Sequence, residues 1–199
     1  MKLQSGCGYD DFAYPTRTRR DRVVVSGQIF YVNLGYLAEF SEYFAERIDD
    51  DDFVVEGVEP YDFLELLRVL FNCPKKKPIK DSNLVPVVNA ACFFGVANVL
   101  KRCEEILQFC LNTLSHTDLM QLTQTISRYD RDNASLSLLV DKIAHFNENE
   151  LQTLPFSKIP GDVVADVYTV RQISADREKK RRTKKGNRFW STENFCCFF

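Results

Sequence analysis

The chain has 199 residues, 45% hydrophobic and 27% charged, a balance that supports one globular core of ordinary size and excludes a polymer disordered throughout. Its net charge of −2 gives no global field for nucleic acid or acidic substrates, although the charge is unevenly placed, with an acidic block at Asp49 to Asp52 and a basic one at Lys179 to Lys185. Seven cysteines without paired spacing read as reduced, intracellular thiols, and no stretch has the apolar core of a signal peptide or the roughly 20 apolar residues of a membrane span.

Residues 1 to about 18 are polar, aromatic and arginine-dotted without period, which predicts a flexible arm. Val23, Val24 and Val25, then Ile29, Phe30, Tyr31 and Val32, are β-branched or aromatic residues on either side of Ser26-Gly27-Gln28, so they predict a hairpin. A helix around Leu37 to Arg47 follows, then the acidic block and a further strand over Phe53 to Val58.

Pro60 opens the next helix, because a first-turn N–H has no intrahelical partner to lose. Phe63, Leu66, Leu67, Leu70 and Phe71 recur along it at helical spacing. Asn72 to Lys80 read as a loop, and Asp81 or Ser82 caps a helix carrying Leu84, Val87, Val88, Ala91 and Cys92 on one face. Gly95 interrupts the pattern before Val96, Val99, Leu100, Cys103, Ile106, Leu107 and Cys110 resume it, giving an antiparallel helical pair.

Helices are expected again from Ser115, whose spacing to Asp118 resembles a capping box, with Leu119, Leu122, Ile126 and Tyr129 on one stripe. Leu136, Leu139, Val140 and Ile143 form another segment, Asn147 with Glu150 opens a third, and Pro160-Gly161-Asp162 opens the last, Val163 to Ile173. Residues 174–199 are expected as a basic, disordered tail.

The run from Asp21 through Phe44, DRVVVSGQIFYVNLGYLAEFSEYF, resembles the start of a BTB/POZ domain. Val58-Glu59-Pro60 with Phe63, Leu66, Leu67 and Phe71 is similar to that family's next strand and helix, and Asn83 to Leu107 to its closing helical hairpin. The resemblance implies an α+β fold, a small mixed sheet flanked by helices, over residues 19–110. The segment 111–173 is similar to the all-helical BACK-like extension of MATH-BTB proteins, while the arm is too short for a MATH domain.

The family implies a non-catalytic adaptor that self-associates and binds cullin-3, presenting a protein client to a ubiquitin ligase. Tyr168 falls where the extension places a cullin-contacting tyrosine. Ile48-Asp49-Asp50 is the nearest counterpart of the family's hydrophobic-x-Glu motif, with Asp50 in place of Glu and a shortened loop. Tyr36 and Leu37 are the expected contacts between copies.

Cys196-Cys197-Phe198-Phe199 fits a CaaX box with Cys196 as the prenylated residue, and the basic run upstream would add attraction to anionic lipid. The same run, Lys179, Lys180, Arg181, Arg182, Lys184 and Lys185, has the density of a nuclear localisation signal. The two readings point to different compartments, cytoplasm with membrane attachment or nucleus, and both stay open.

No cofactor, metal or nucleic acid is expected. His116 and His145 are the two histidines and neither sits beside a cysteine in sequence. Zinc-type cysteine spacing and phosphate-binding glycine loops are absent, and the acidic block lacks the alternation and glycine of a calcium loop.

Overall fold

The computed structural model describes residues 12–50, 53–71 and 77–190, with side chains described through 182. Strand β1 (Asp21–Val25) and strand β2 (Gln28–Val32) form the expected antiparallel hairpin, with Val25 opposite Gln28. The turn is the two residues Ser26 and Gly27, at φ 42° and 82°. Positive φ at both positions matches the right-handed twist of the flanking strands, and glycine adopts it without a Cβ clash. Ser26 is held there from outside: its N–H donates to the Val55 carbonyl (2.8 Å) and its hydroxyl to the Val58 carbonyl (2.8 Å).

Strand β3 (Phe53–Val55) runs parallel to β1 with Val23 opposite Phe53, so the sheet is mixed and ordered β2-β1-β3. Val23, Val25, Phe30, Val32, Phe53 and Val55 alternate onto its buried face. The strand is shorter than the expected 53–58 because Gly57 turns the chain at φ 89°.

The expected helix over 37–47 is two short ones, α1 (Leu34–Ala38) and α2 (Glu42–Ala45). The break is at Ser41, extended at φ −155°, whose buried hydroxyl donates to the Phe94 carbonyl. Helix α1 is capped twice: Asn33 Oδ1 accepts from Tyr36 N–H (2.9 Å) and Asp21 Oδ2 from Leu34 N–H (2.7 Å).

Helices α3 (Pro60–Leu70), α4 (Asp81–Phe93) and α5 (Ala97–Cys110) follow, with α3 packed on α4 and α4 on α5. Gly95 makes the α4–α5 corner at φ 66°, the left-handed conformation that commonly ends a helix. An aromatic cluster joins sheet to helices: Phe44 stacks on Phe94 (4.8 Å between centroids), Phe94 meets Phe63 (5.1 Å) and Phe63 meets Phe30 (5.2 Å). All four rings are fully buried, and each contributes about 1.5–3 kcal/mol by leaving water.

Helix α6 (His116–Tyr129) begins with the Ser115 cap, whose Oγ accepts from Asp118 N–H (3.1 Å). It packs on α4, where Thr125 donates to Asn89 Oδ1 (2.6 Å). The chain divides into two compact units between Leu139 and Val140, inside helix α7 (Ala134–Ala144). The reason is that α6 buries Leu119, Leu122 and Ile126 in the first unit.

The second unit holds α8 (Glu148–Thr153), a single 3-10 turn at Phe156–Lys158 and α9 (Gly161–Trp190). Asn147 and Glu150 close the expected capping box on α8, each side chain accepting the other's backbone N–H (2.9 and 2.8 Å). Arg171 ties α9 to the segment before α8, donating to the Ala144 (3.2 Å) and Phe146 carbonyls and to Glu148 (3.1 Å).

The expected disordered tail from 174 is instead helical as far as Trp190. Ala175, Glu178 and the Lys/Arg run are strong helix formers, and Arg182 pairs with Glu178 one turn earlier (2.7 Å). Among the described residues no helix is long and apolar enough to cross a membrane.

Candidate functional site

The turn after α2 carries the expected Ile48 and Asp50. Arg47 anchors it: the guanidinium lies 4.1 Å from the Tyr43 ring centroid, donates to the Tyr43 carbonyl (3.0 Å) and pairs with Glu46 (3.5 Å). The Asp50 N–H closes the turn on the Arg47 carbonyl (3.2 Å). Ile48 is 45% exposed and Asp50 is exposed, so an apolar side chain and a carboxylate are presented together on a braced turn. Gly35 lies close beneath, since a Cβ there would stand 4.0 Å from Ile48 Cδ1.

Of the two residues expected at a contact between copies, Tyr36 is half-buried, donating to the Leu70 carbonyl (3.1 Å) with its ring 5.0 Å from both Phe40 and Phe71. Leu37 is fully buried within the chain and presents nothing to a second copy, because α1 is short and turns that side onto the core.

Tyr168 belongs to the second compact unit, in the first half of α9. It is 51% exposed, its ring 6.1 Å from that of Phe156, while Val163 and Val167 on the same helix are buried. Lys179, Lys180, Arg181 and Arg182 are exposed further along α9. Lys184 and Lys185 lie on the helix beyond the described side chains, and Cys196 lies outside the described residues.

Several features are not legible from motifs. Val24 stands opposite both Ile29 and Val54, so three β-branched residues form one row across the outer face of the sheet. Ile29 and Val54 are 40% and 57% exposed. The alternation of each strand carried this signal, but the register that aligns them did not show.

A polar network is buried beneath α3. Glu65, fully buried, accepts from Lys77 Nζ at 2.8 Å on both oxygens, from Arg68 (2.8 Å) and from Asn83 (3.1 Å). Burial pushes its carboxyl up, but the hydrogen bonds from Lys77, Asn83 and Arg68 and the Lys77 charge outweigh that, and the net shift is downward. One turn earlier, Asp62 accepts from Asn89 (3.0 Å), and burial, aided by Glu59, pushes it up to about 6.

Helices α4, α5 and α6 enclose a cavity of about 190 Å³ lined chiefly by Leu84, Val88, Cys103, Leu107, Leu122 and Ile126. Burial pushes the Cys92 and Cys103 thiols up to about 12, which leaves them poor nucleophiles. His145 directs Nδ1 to the Asp141 carbonyl (2.7 Å), and His116 is the first residue of α6. No group of three or more His, Cys, Asp or Glu able to hold a metal occurs among the described residues.

Residues 19–111 match the family model described as BTB/POZ domain. Over 202 residues the chain is 34% identical to the Caenorhabditis elegans protein named Cytokinesis defective protein 7, an alignment that covers 96% of this chain and 75% of that protein.

Proposed function

Because this chain belongs to the BTB/POZ domain family, whose members are protein-interaction domains, we propose that it is an adaptor joining a protein client to a cullin-3 ubiquitin ligase. The observation that carries the reading is the turn after α2, where Arg47 braces an exposed Ile48 beside Asp50. An apolar anchor next to a carboxylate is the chemistry of the family's hydrophobic-x-Glu cullin motif, and Asp50 supplies the charge one methylene shorter. The helices after residue 111 act as a BACK-like extension, with Tyr168 as its cullin contact and Tyr36 at a contact between copies.

The test is binding of the full chain to the cullin-3 N-terminal domain. Association at micromolar concentration supports the reading, and its absence at tens of micromolar, with the chain folded by circular dichroism, overturns it. The name of the nematode relative refers to cytokinesis, which supports seeking the client among proteins that act in cell division.

The exposed basic residues of α9 favour a second reading, a scaffold without ligase function that is imported to the nucleus by that run or tethered to membrane through a prenylated Cys196. Mass spectrometry of the C-terminal peptide from cells separates these, since an unmodified Cys196 removes the tethered form.

A further inference from the structure

Two segments of opposite charge stand out once the elements are placed. Residues 39–50, spanning α2 and its flanking turns, hold five carboxylates against one arginine. Glu39, Glu42, Glu46, Asp49 and Asp50 are exposed, and the arginine, Arg47, is drawn onto Tyr43 and Glu46. Residues 177–188 hold eight cations against one glutamate, and they are helical throughout.

Helical geometry sorts the cations. At about 100° per residue, Arg177, Lys180, Arg181 and positions 184, 185 and 188 share one face over about 16 Å of axis. On that face Arg177 precedes Arg181 by four residues, so these like charges repel along the helix. Among the described side chains the opposite side carries Lys179 and Arg182 rather than an apolar stripe, so this part of the helix lacks the face by which an amphipathic helix enters a bilayer. Carboxylates held on another protein surface would relieve the repulsion without requiring such a stripe.

We infer that the basic face of α9 docks on the acidic α2 segment of a second copy of this chain. Charge complementarity names the occupant: every molecule brings both surfaces in equal number, and a net charge of only −2 leaves little overall repulsion against association. The contact joins two different patches, so it is heterologous and either closes into a ring or propagates. The patch shares the Ile48-Asp50 turn with the cullin contact, so the two would compete for it, but the inference does not rest on the cullin reading.

Sedimentation of the full chain tests this at about 0.1 M and about 0.5 M salt, where screening of exposed charges differs strongly. One variant carries Lys180→Glu, Arg181→Glu and Lys184→Glu; the other carries Glu42→Lys, Glu46→Lys and Asp49→Lys. The parent should gain mass with concentration at low salt and lose that gain at high salt. Each variant alone should associate at least ~tenfold more weakly, and an equimolar mixture of the two should recover the parent's behaviour. A mass insensitive to salt or to charge reversal overturns the inference, as does failure of the mixture to recover while both variants melt like the parent. Binding of the parent to anionic vesicles or RNA that the first variant loses, with no change in mass, also overturns it in favour of those partners.

Discussion

Lys77 Nζ lies 2.8 Å from each carboxylate oxygen of Glu65, twelve residues apart in sequence, and this bridge fastens the segment before α4 to the middle of α3. Replacing the buried carboxylate with an amide removes one of its two acceptor oxygens and the charge that Lys77 and Arg68 share, and sets an N–H₂ among their donors. Glu65→Gln should therefore cost about 2–3 kcal/mol, read as a lowered denaturation midpoint at unchanged slope. Because the folded carboxyl titrates below its ordinary 4.5, its contribution is present above that pH and lost as pH falls below it, so the variant should lose the corresponding part of the acid sensitivity.

Asp62, one turn earlier, has the opposite sign. With its carboxyl raised to about 6 from an ordinary 3.8, the folded state binds more protons than the unfolded one across that window, so stability falls as pH rises through it. Asp62→Asn keeps an acceptor for the Asn89 amide and removes the ionisation. Its melting temperature should climb relative to the parent between about pH 4 and about pH 6, and a constant or shrinking gap would refute the assignment.

The thiols differ in access. Cys92 and Cys103 are held up to about 12 by burial, while Cys110, also raised by burial and by Asp81, is the least enclosed of the three. Alkylation of the native protein at neutral pH, followed by peptide mass spectrometry, should label Cys110 first. Cys103, the buried one, should react only at the rate of unfolding, and its fast labelling would show that the cavity opens.

Tyr168 and Ile48 are both about half exposed, so shortening either should leave the fold intact. Tyr168→Ala and Ile48→Ala should each weaken binding to the cullin-3 N-terminal domain by ~tenfold or more, with melting temperatures within about 2 °C of the parent. Equal affinity in both variants would remove these residues from the interface.

Much of the fold follows from local pattern. The hairpin, the helices after Pro60 and the Gly95 corner arise from β-branched runs, helical spacing and turn chemistry acting over a few residues. The division of the 37–47 helix at Ser41 depends on the Phe94 carbonyl, 53 residues away, and no local rule carries that. Leu37 has the same apolar character inside or outside an interface; only the placement of α1 decides that it is buried. The basic run looks like solvated coil by charge, yet its lysines, arginines and Glu178 are good helix formers once Val163 and Val167 have seeded α9. On the candidate site, Ile48, Asp50 and Tyr168 could be named from motif, while the bracing by Arg47 could not.

Helix α9 has a further meaning as a ruler. At about 1.5 Å per residue, positions 184 to 190 stand roughly 26–35 Å along the axis from Val167, the last fully buried side chain among those described on the helix. Anything that grips those positions is held off from the core of its unit by a stiff spacer of set length. Inserting or deleting one helical turn would change that reach by about 5.4 Å while preserving the face presented.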